Sequence, residues 1–571
     1  MRDDDERRMR PTRRAVLAAA GASTLAQVTG VGGARASVIA AGHVFDDRSG
    51  TGRRQPGDPG VAGVMVSNGR DVVRTDTEGR WRLPVAEGES IFVIKPPHWI
   101  TPLGPGGVPV FSCLHQPNGS PSGVAYRHAG VAATGVLPAC IDFPLRRQEE
   151  GAQFEALLMA DTQPENGAEL AYLRDDIIAA TLGCGAAFGI NHGDVVFDDL
   201  SLYPRYLQIL GASGIPWHHC PGNHDMNSEA PDDATSRETW KRVFGPRHYA
   251  FQHAGPTFII LDNVHYLGHS PGTARSGHYC GRIGPAQLQF VRNVLSHVPA
   301  DMLVVLSMHI PLLNYQDPTS AADTTADRHA LLKLLSGRRH AVSFSGHMHV
   351  TEHHYLGAEH GFQGSGVHHH HHVLTAASGG WWGGPKDSRG IPSADSEDGN
   401  PNGFHILAVD GCRYTTRFVP AAGKAPAQLR VIIDGPHRHH AVRGNEPASV
   451  ADSGAAIALE EVAGCRLIVN VFDGGPQSHV SYTIAGAITE PVRLQRVATP
   501  DPYVANLFAA HAATQKSWVR AVPSSHVWTA PLPAGLQPGG HCISVEARDE
   551  YGRRLTAHLV LEVGARRRSA A

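Results

Sequence analysis

Five short polar motifs constrain this chain more than any other feature, because each stands where an apolar run stops. Asp161-Thr162-Gln163 follows Ala156 to Ala160, and Gly193-Asp194 follows Ala186 to Ile190. Gly222-Asn223-His224-Asp225 follows the strand-like Ile215-Pro216-Trp217-His218. His309 follows Leu303 to Ser307, and Gly346-His347-Met348-His349 follows Ala341 to Ser345. Short apolar runs bounded by turn residues read as buried strands. Helical patterns lie between them, over Glu169 to Thr181 and Leu200 to Leu210. This alternation predicts a layered α/β domain over 150–415. In such sheets, polar groups at strand ends form the ligand site. Taken singly, Asp161 reads as a helix N-cap, Asn223 as a turn residue and His309 as a satisfied core histidine. Joint occurrence, in order and after strands, favours a common site.

The residue types fit hard metal ions, which take carboxylate, amide and imidazole ligands. Two ions about 3.5–4 Å apart need a shared carboxylate and can clamp a phosphate in line with an attacking hydroxide. Two carboxylates leave such a pair with surplus positive charge, which favours an anionic substrate. Glycine before Asp194, Asn223 and His347 suits tight turns and close backbone approach.

With these residues, the set resembles the calcineurin-like metallophosphoesterase superfamily, whose motifs have the form D-x-H/Q, G-D, G-N-H-D/E, H and G-H-x-H. It is most similar to a secreted bacterial branch with N- and C-terminal β domains. The resemblance implies a central four-layer αββα sandwich. It assigns Asp161, Gln163, Asp194 and His349 to a first ion, and Asp194, Asn223, His309 and His347 to a second. The ions would be divalent or trivalent: Mn, Fe or Zn. A metal-bridging hydroxide would attack phosphorus, while His224 stabilises the phosphoryl charge and protonates the leaving oxygen. Asp225 would orient the His224 ring. Gln163 stands where most members have histidine, and its neutral amide oxygen is a weaker donor, so weaker binding of the first ion is expected. A glutamine there also resembles a protein-phosphatase-like subgroup. The expected function is therefore hydrolysis of a phosphate mono- or diester. The alternatives are a phosphoprotein phosphatase and a secreted cell-surface binding protein with a vestigial metal site.

At 571 residues the chain has room for about three domains. Residues 37–148 hold short β-rich runs and the hairpin signal Asn68-Gly69, which predict a β-sandwich. Its pattern resembles prealbumin-like modules. Residues 420–563 predict a second β-sandwich. Residues 1–36 read as a twin-arginine export signal, with Arg13-Arg14 before a mild apolar run and Ala34-Arg35-Ala36 as cleavage site. No later stretch is long and apolar enough to span a bilayer, so an exported protein without stable membrane insertion is expected. A net charge of −3 and 18% charged residues exclude a strongly basic nucleic-acid binder, so nucleic acid enters only as a possible substrate. None of the eight cysteines forms a CxxC pair, which argues against a cysteine zinc site; Cys113 with Cys140 is a candidate disulfide.

Histidine is over-used, with 36 in the chain and 24 of them between residues 151 and 410. His368 to His372 form a run whose alternate members would face opposite sides of a strand. The secreted branch has a similar His-rich strand and Gly-Trp-Trp segment. His370, Trp381 and Trp382 are therefore candidates for the substrate pocket, and the tryptophans could equally stack on a sugar or base or plug the core. Asn402, in the turn-rich loop 398–403, is a candidate for the pocket rim. His192, His218 and His219 are candidates for supporting the motif residues. Arg205, Arg275, Arg282 and Arg389 are the candidate cations near a substrate.

Overall fold

Two sheets carry the five motifs. In the computed structural model, which describes residues 37–269, 278–364, 368–422, 427–435, 438–443 and 457–564, the first sheet has five strands. Their order is Trp217–His219, Phe188–Asn191, Gln153–Met159, Gly403–Asp410, Arg413–Pro420. The first three are parallel and the last two are antiparallel additions. The second sheet runs Tyr249–Gln252, Thr257–Ile260, Val304–Ser307, Ala341–Ser345, His369–Val373, Glu352–Leu356. Its four inner strands are parallel and both edges antiparallel. Every motif therefore leaves the carboxyl end of a parallel strand, where such sheets open to ligands. The expected export segment 1–36 and Arg275 lie outside the described residues.

The strands are apolar on both faces, as parallel strands must be. Leu157 and Met159 pack against Leu170, Leu173, Ile177, Tyr206 and Leu210 of the helical segments. On the other face, Ala156, Leu158 and Ala160 join Phe188, Phe258, Ile260 and Leu306. Phe188 stands edge-on to Phe251 at 5.3 Å and to Phe258 at 5.0 Å, so the two sheets meet through aromatic rings. Phe290, Val291, Leu331 and Leu332, from helices Pro285–Leu295 and Arg328–Leu335, complete this core. The helix expected over Glu169 to Thr181 starts at Gly167, because Asn166 caps the backbone N–H groups of Ala168 and Glu169. Its middle, Leu173–Ile178, is π-helical.

Residues 37–148 form two four-stranded sheets. One contains the hairpin Met65–Ser67 with Val72–Arg74, turned at Asn68-Gly69. This region shares a core with the central sheets: Phe92 meets Phe290 at 5.8 Å, and Phe111 meets Tyr249 at 4.8 Å. The C-terminal region holds two five-stranded sheets closed over Leu467, Val469, Trp528, Val545 and Leu561. All eight cysteines are unbridged. The expected Cys113–Cys140 pair is thus not formed; the Cys140 thiol is committed to Asp142 Oδ1 at 3.1 Å. Among the described residues, no helix is long and apolar enough to cross a membrane.

One buried carboxylate joins the first region to the second. Glu150 accepts from Lys95 Nζ at 2.6 Å and from the N–H groups of His98 and Ala254 at 2.8 and 2.6 Å. Burial alone would raise its pKa, but His253, Lys95 and the His98 N–H hold it at about 2. A carboxyl depressed on folding stabilises above its unfolded value of about 4.3 and loses that contribution as pH falls through its folded value. Glu150→Gln leaves Lys95 without a counter-charge and is expected to destabilise by about 3–5 kcal/mol at pH 7. In urea melts the deficit relative to wild type should shrink below about pH 4.3; a gap that stays constant down to the acid limit contradicts the assignment.

Candidate metal centre

The motif loops are held in a backbone conformation that side chains resist. Asp161, Gln163, Asp194, His347 and His349 have φ of 51, 32, 52, 74 and 53°. Left-handed non-glycine residues persist only where their surroundings over-determine them, and they cluster at working sites. Here the loops lock one another. Asp161 N–H donates to Gly193 O at 3.1 Å and Gln163 N–H to Asp194 O at 3.0 Å. His347 N–H donates to the Asp161 carboxylate at 2.9 Å, and His224 N–H to Asp194 Oδ1 at 2.9 Å. Two motif glycines are steric necessities. A Cβ on Gly222 would stand 2.1 Å from Asp194 Oδ1, and one on Gly346 would stand 2.3 Å from Asp161 Oδ2.

Asp194 is the hub. Gln163 Nε2 donates to its Oδ2 at 2.7 Å, His309 Nε2 stands 3.3 Å from the same oxygen, and His224 Nε2 stands 4.0 Å away. His309 Nε2 also lies 2.9 Å from Asn223 Oδ1. Asp194, His309 and His347 offer donor atoms that all lie within 4.8 Å of one another. His349 Nε2 is 3.8 Å from Asp161 Oδ1. The structure thus gathers all seven expected ligands around two carboxylates.

These residues fit metal ions on three counts. His309 Nδ1 is tied to His192 O and His349 Nδ1 to Gly379 O, both at 2.8 Å, so each ring turns Nε2 inward. Gln163 Oε1 is buried with no hydrogen-bond partner among the described residues. An orphaned buried acceptor costs about 1–3 kcal/mol, which a facing cation removes. The third count is charge. Burial pushes Asp161 up to about 7. Burial likewise opposes the charge on Asp194, yet His309 and His224 hold its pKa low. Burial also works against protonating His224 and His309, and Asp194 nonetheless lifts both to about 9. The cluster calls for positive charge, and without a cation its own rings provide it.

His224 departs from expectation in one respect. Asp225 does not orient its ring. The Asp225 carboxylate turns inward and accepts from Val195 N–H at 3.1 Å, Gly222 N–H at 2.9 Å and Tyr203 OH at 3.0 Å. It ties the two loops together. The His224 ring turns outward, where Nδ1 meets Asp198 Oδ1 at 2.8 Å and Phe197 stacks on the ring at 4.5 Å. Asp198 escaped the sequence reading because it belongs to no motif; its one signal is its place four residues after Asp194. Arg237 escaped too. It is fully buried, donates to Gly222 O at 2.7 Å and pairs with Asp262 at 3.1 Å, bracing the Asn223–His224 loop from behind.

The expected pocket residues divide. Trp381 stacks on His349 at 4.0 Å and meets Trp518 edge-on at 5.7 Å. Trp518 in turn stacks over Phe197 at 6.1 Å. An aromatic row therefore runs from His349 to His224, with Trp518 supplied by the C-terminal region. Trp382 packs into the core beside Tyr172. Asn402 is buried and donates to Asp176 Oδ2 at 2.8 Å, so it is no rim residue. His370 is buried between His353 and Tyr414 and is not brought to the motif cluster. Of the supporting histidines, His192 reaches His309 through its carbonyl, whereas His218 stacks on Phe251 and His219 packs on Phe244 in the core. Arg389 is spent on Asp176 and Asp387. A cavity of about 350 Å³ lined by Lys95, Glu150, Phe188 and His218 includes none of the motif residues.

Comparison with known proteins finds two partial matches to family models. A model of the N terminal of calcineurin-like phosphoesterase matches residues 48–124, and one of the C terminal of calcineurin-like phosphoesterase matches residues 371–555. The two matches flank the five motifs, which resemble the same superfamily. No curated protein matches the chain. Among solved structures, it is similar to a purple acid phosphatase, PPD1, from seeds of yellow lupin (Lupinus luteus), at 11% identity over 63% of this chain and 67% of that one, TM-score 0.32. It is also similar to PhoD, at 11% identity over 76% of this chain and 90% of that one, TM-score 0.35. At those scores the two structures add nothing to the family models.

Gly222→Ala tests the packing of the site. The variant is expected to keep its far-UV circular dichroism and lose metal in equilibrium dialysis, because the added methyl displaces Asp194. Undiminished metal binding contradicts the placement of these loops.

Proposed function

We propose that the chain hydrolyses a phosphate mono- or diester with two bound ions that share Asp194. The observation that carries this reading is the gathering of seven donor residues around two buried carboxylates, Asp161 and Asp194, which are themselves among the seven, with His224 at the edge. Asp161, Gln163, Asp194 and His349 hold one ion; Asp194, Asn223, His309 and His347 hold the other. Mn, Fe and Zn all suit this donor set. Bound there, the ions supply positive charge for the phosphoryl oxygens and a water acidified enough to attack phosphorus.

The remaining work falls to side chains. Asp198 accepts from His224 Nδ1, and the protonated ring then carries a second proton, on Nε2, toward the reaction side for the leaving oxygen. Phe197 fixes the ring plane. Asp225 and Arg237 keep the Gly222 loop against Asp194. Trp381 and Trp518 border the approach, and the organic part of the ester rests along them. The finer architecture is part of the same reading. Helices against the outer faces of the two sheets support a four-layer αββα sandwich over 150–415. The paired sheets of 37–148 and 420–563 support flanking β-sandwiches, the first prealbumin-like. Arg13-Arg14 and Ala34-Arg35-Ala36 support twin-arginine export, to be checked by N-terminal sequencing of the secreted protein. Gln163 is the observation that favours a second reading, a phosphoprotein phosphatase. Turnover of phosphopeptides with none of small diesters would select it.

His224→Ala is expected to retain both ions and lose about 10²–10⁴-fold in turnover. Asp194→Ala should lose metal and activity together. Asp198→Ala should cost about 10–100-fold with metal content unchanged. Full activity in the His224 or Asp194 variant sinks the assignment, and full activity in the Asp198 variant removes Asp198 from it.

A further inference from the structure

The histidine run builds something else. Along His369–Val373 the side chains alternate. His369 Nε2 and His371 Nδ1 turn to Ser343 Oγ at 2.8 and 2.7 Å, and His371 Nε2 accepts from Leu312 N–H at 3.1 Å. His370 and His372 turn the opposite way, toward the C-terminal region. There His353 Nε2, His372 Nε2 and His405 Nε2 stand 3.1, 2.8 and 3.2 Å from a single atom, Asp473 Oδ1. The three rings are fully buried and Asp473 is 5% exposed.

Hydrogen bonding alone does not account for this cluster. The closest approach, from His372, is out of hydrogen-bond alignment, and neither ring nitrogen of His372 has a hydrogen-bond partner among the described residues. A buried ring without partners forfeits about 1–3 kcal/mol. His353 Nε2 and His405 Nε2 meet Asp473 Oδ1 in hydrogen-bond geometry, and His372 Nε2 is left over at the same atom, crowded as a ligand to one shared ion would be. Donors about 2.0–2.2 Å from a tetrahedral ion stand about 3.3–3.6 Å apart. The observed 2.8–3.2 Å separations from Asp473 Oδ1 are a few tenths of an ångström tighter, so a small outward shift of the rings would seat the ion. His353, His372 and Asp473 offer atoms all within 4.8 Å of one another. Outer partners are present as well. His353 Nδ1 meets His370 Nε2 at 2.9 Å, and His370 Nδ1 meets Tyr414 OH at 2.8 Å, a chain that fixes the His353 ring.

We propose that His353, His372 and Asp473, with His405 as a fourth donor, bind a transition-metal ion of the zinc class, and that this ion fastens the C-terminal region to the central sheets. Imidazole-rich donors select such an ion over calcium or magnesium. None of the four residues belongs to the five motifs, so the site stands apart from the phosphoesterase reading. His353 and His372 come from the second sheet, His405 from the first and Asp473 from the loop after Arg466–Val471. The ion would therefore cross-link three parts of the fold.

The test uses the full chain expressed in medium supplemented with Zn²⁺. In Asp194→Ala, which empties the motif cluster, metal analysis should find one equivalent of zinc. The further change His372→Ala should remove it and lower the melting temperature. A zinc content near zero in Asp194→Ala overturns the proposal, as does an unchanged equivalent in the double variant. Should the double variant fail to fold, zinc-edge anomalous diffraction from wild-type crystals decides. A peak bonded to His353, His372 and Asp473 is expected, and an empty map at that point overturns the site.

Discussion

A carboxylate sealed from water is stable only where positive charge or hydrogen-bond donors surround it, and the central site is arranged around one such group. Asp194 accepts from Gln163 on one side and from the His224 backbone on the other, with His309 alongside. Asp161 and Asp225, equally buried, crosslink neighbouring loops in the same way. The left-handed conformations of Asp161, Gln163, Asp194, His347 and His349 each cost about 1–3 kcal/mol. The parallel strands beneath them, which end together and are buried on both faces, make that strain bearable.

The same economy of position explains why the site was readable. Each motif residue projects from the end of a strand, so order along the chain maps directly onto neighbourhood in space. Asp161, Asp194 and His347 were legible for that reason, and so was the α/β alternation that positions them. Asp198 was not, because its importance comes from the direction in which the His224 ring turns, which spacing does not encode. Asp225 was misread for the same reason: adjacency in sequence suggested that it serves His224, but its side chain points the other way. His370 was drawn to the pocket by resemblance and Asn402 by its turn-rich loop, and burial assigns both to packing and hydrogen bonding instead. Trp518 lies 357 residues beyond Asp161 in sequence, and only the docking of the C-terminal region brings it over Phe197.

The two metal-suited clusters differ in kind. The motif cluster lies beside an aromatic row that includes the partly exposed Trp518, and its ring at His224 faces outward. The cluster at Asp473 is enclosed on every side by histidine, tyrosine and sheet. An open site suits turnover and a closed one suits structure. Excess histidine in one chain thus divides between the chemistry, a closed junction and plain core packing at His218 and His219.

The central claim is that two ions share the Asp194 carboxylate. Electron paramagnetic resonance of the Mn²⁺-loaded chain tests it most directly, because ions about 3.5–4 Å apart couple magnetically. The account predicts the spectrum of a spin-coupled Mn²⁺ pair that disappears in Asp194→Ala. Only isolated Mn²⁺ signals at saturation, or a coupled pair that survives that substitution, would contradict it.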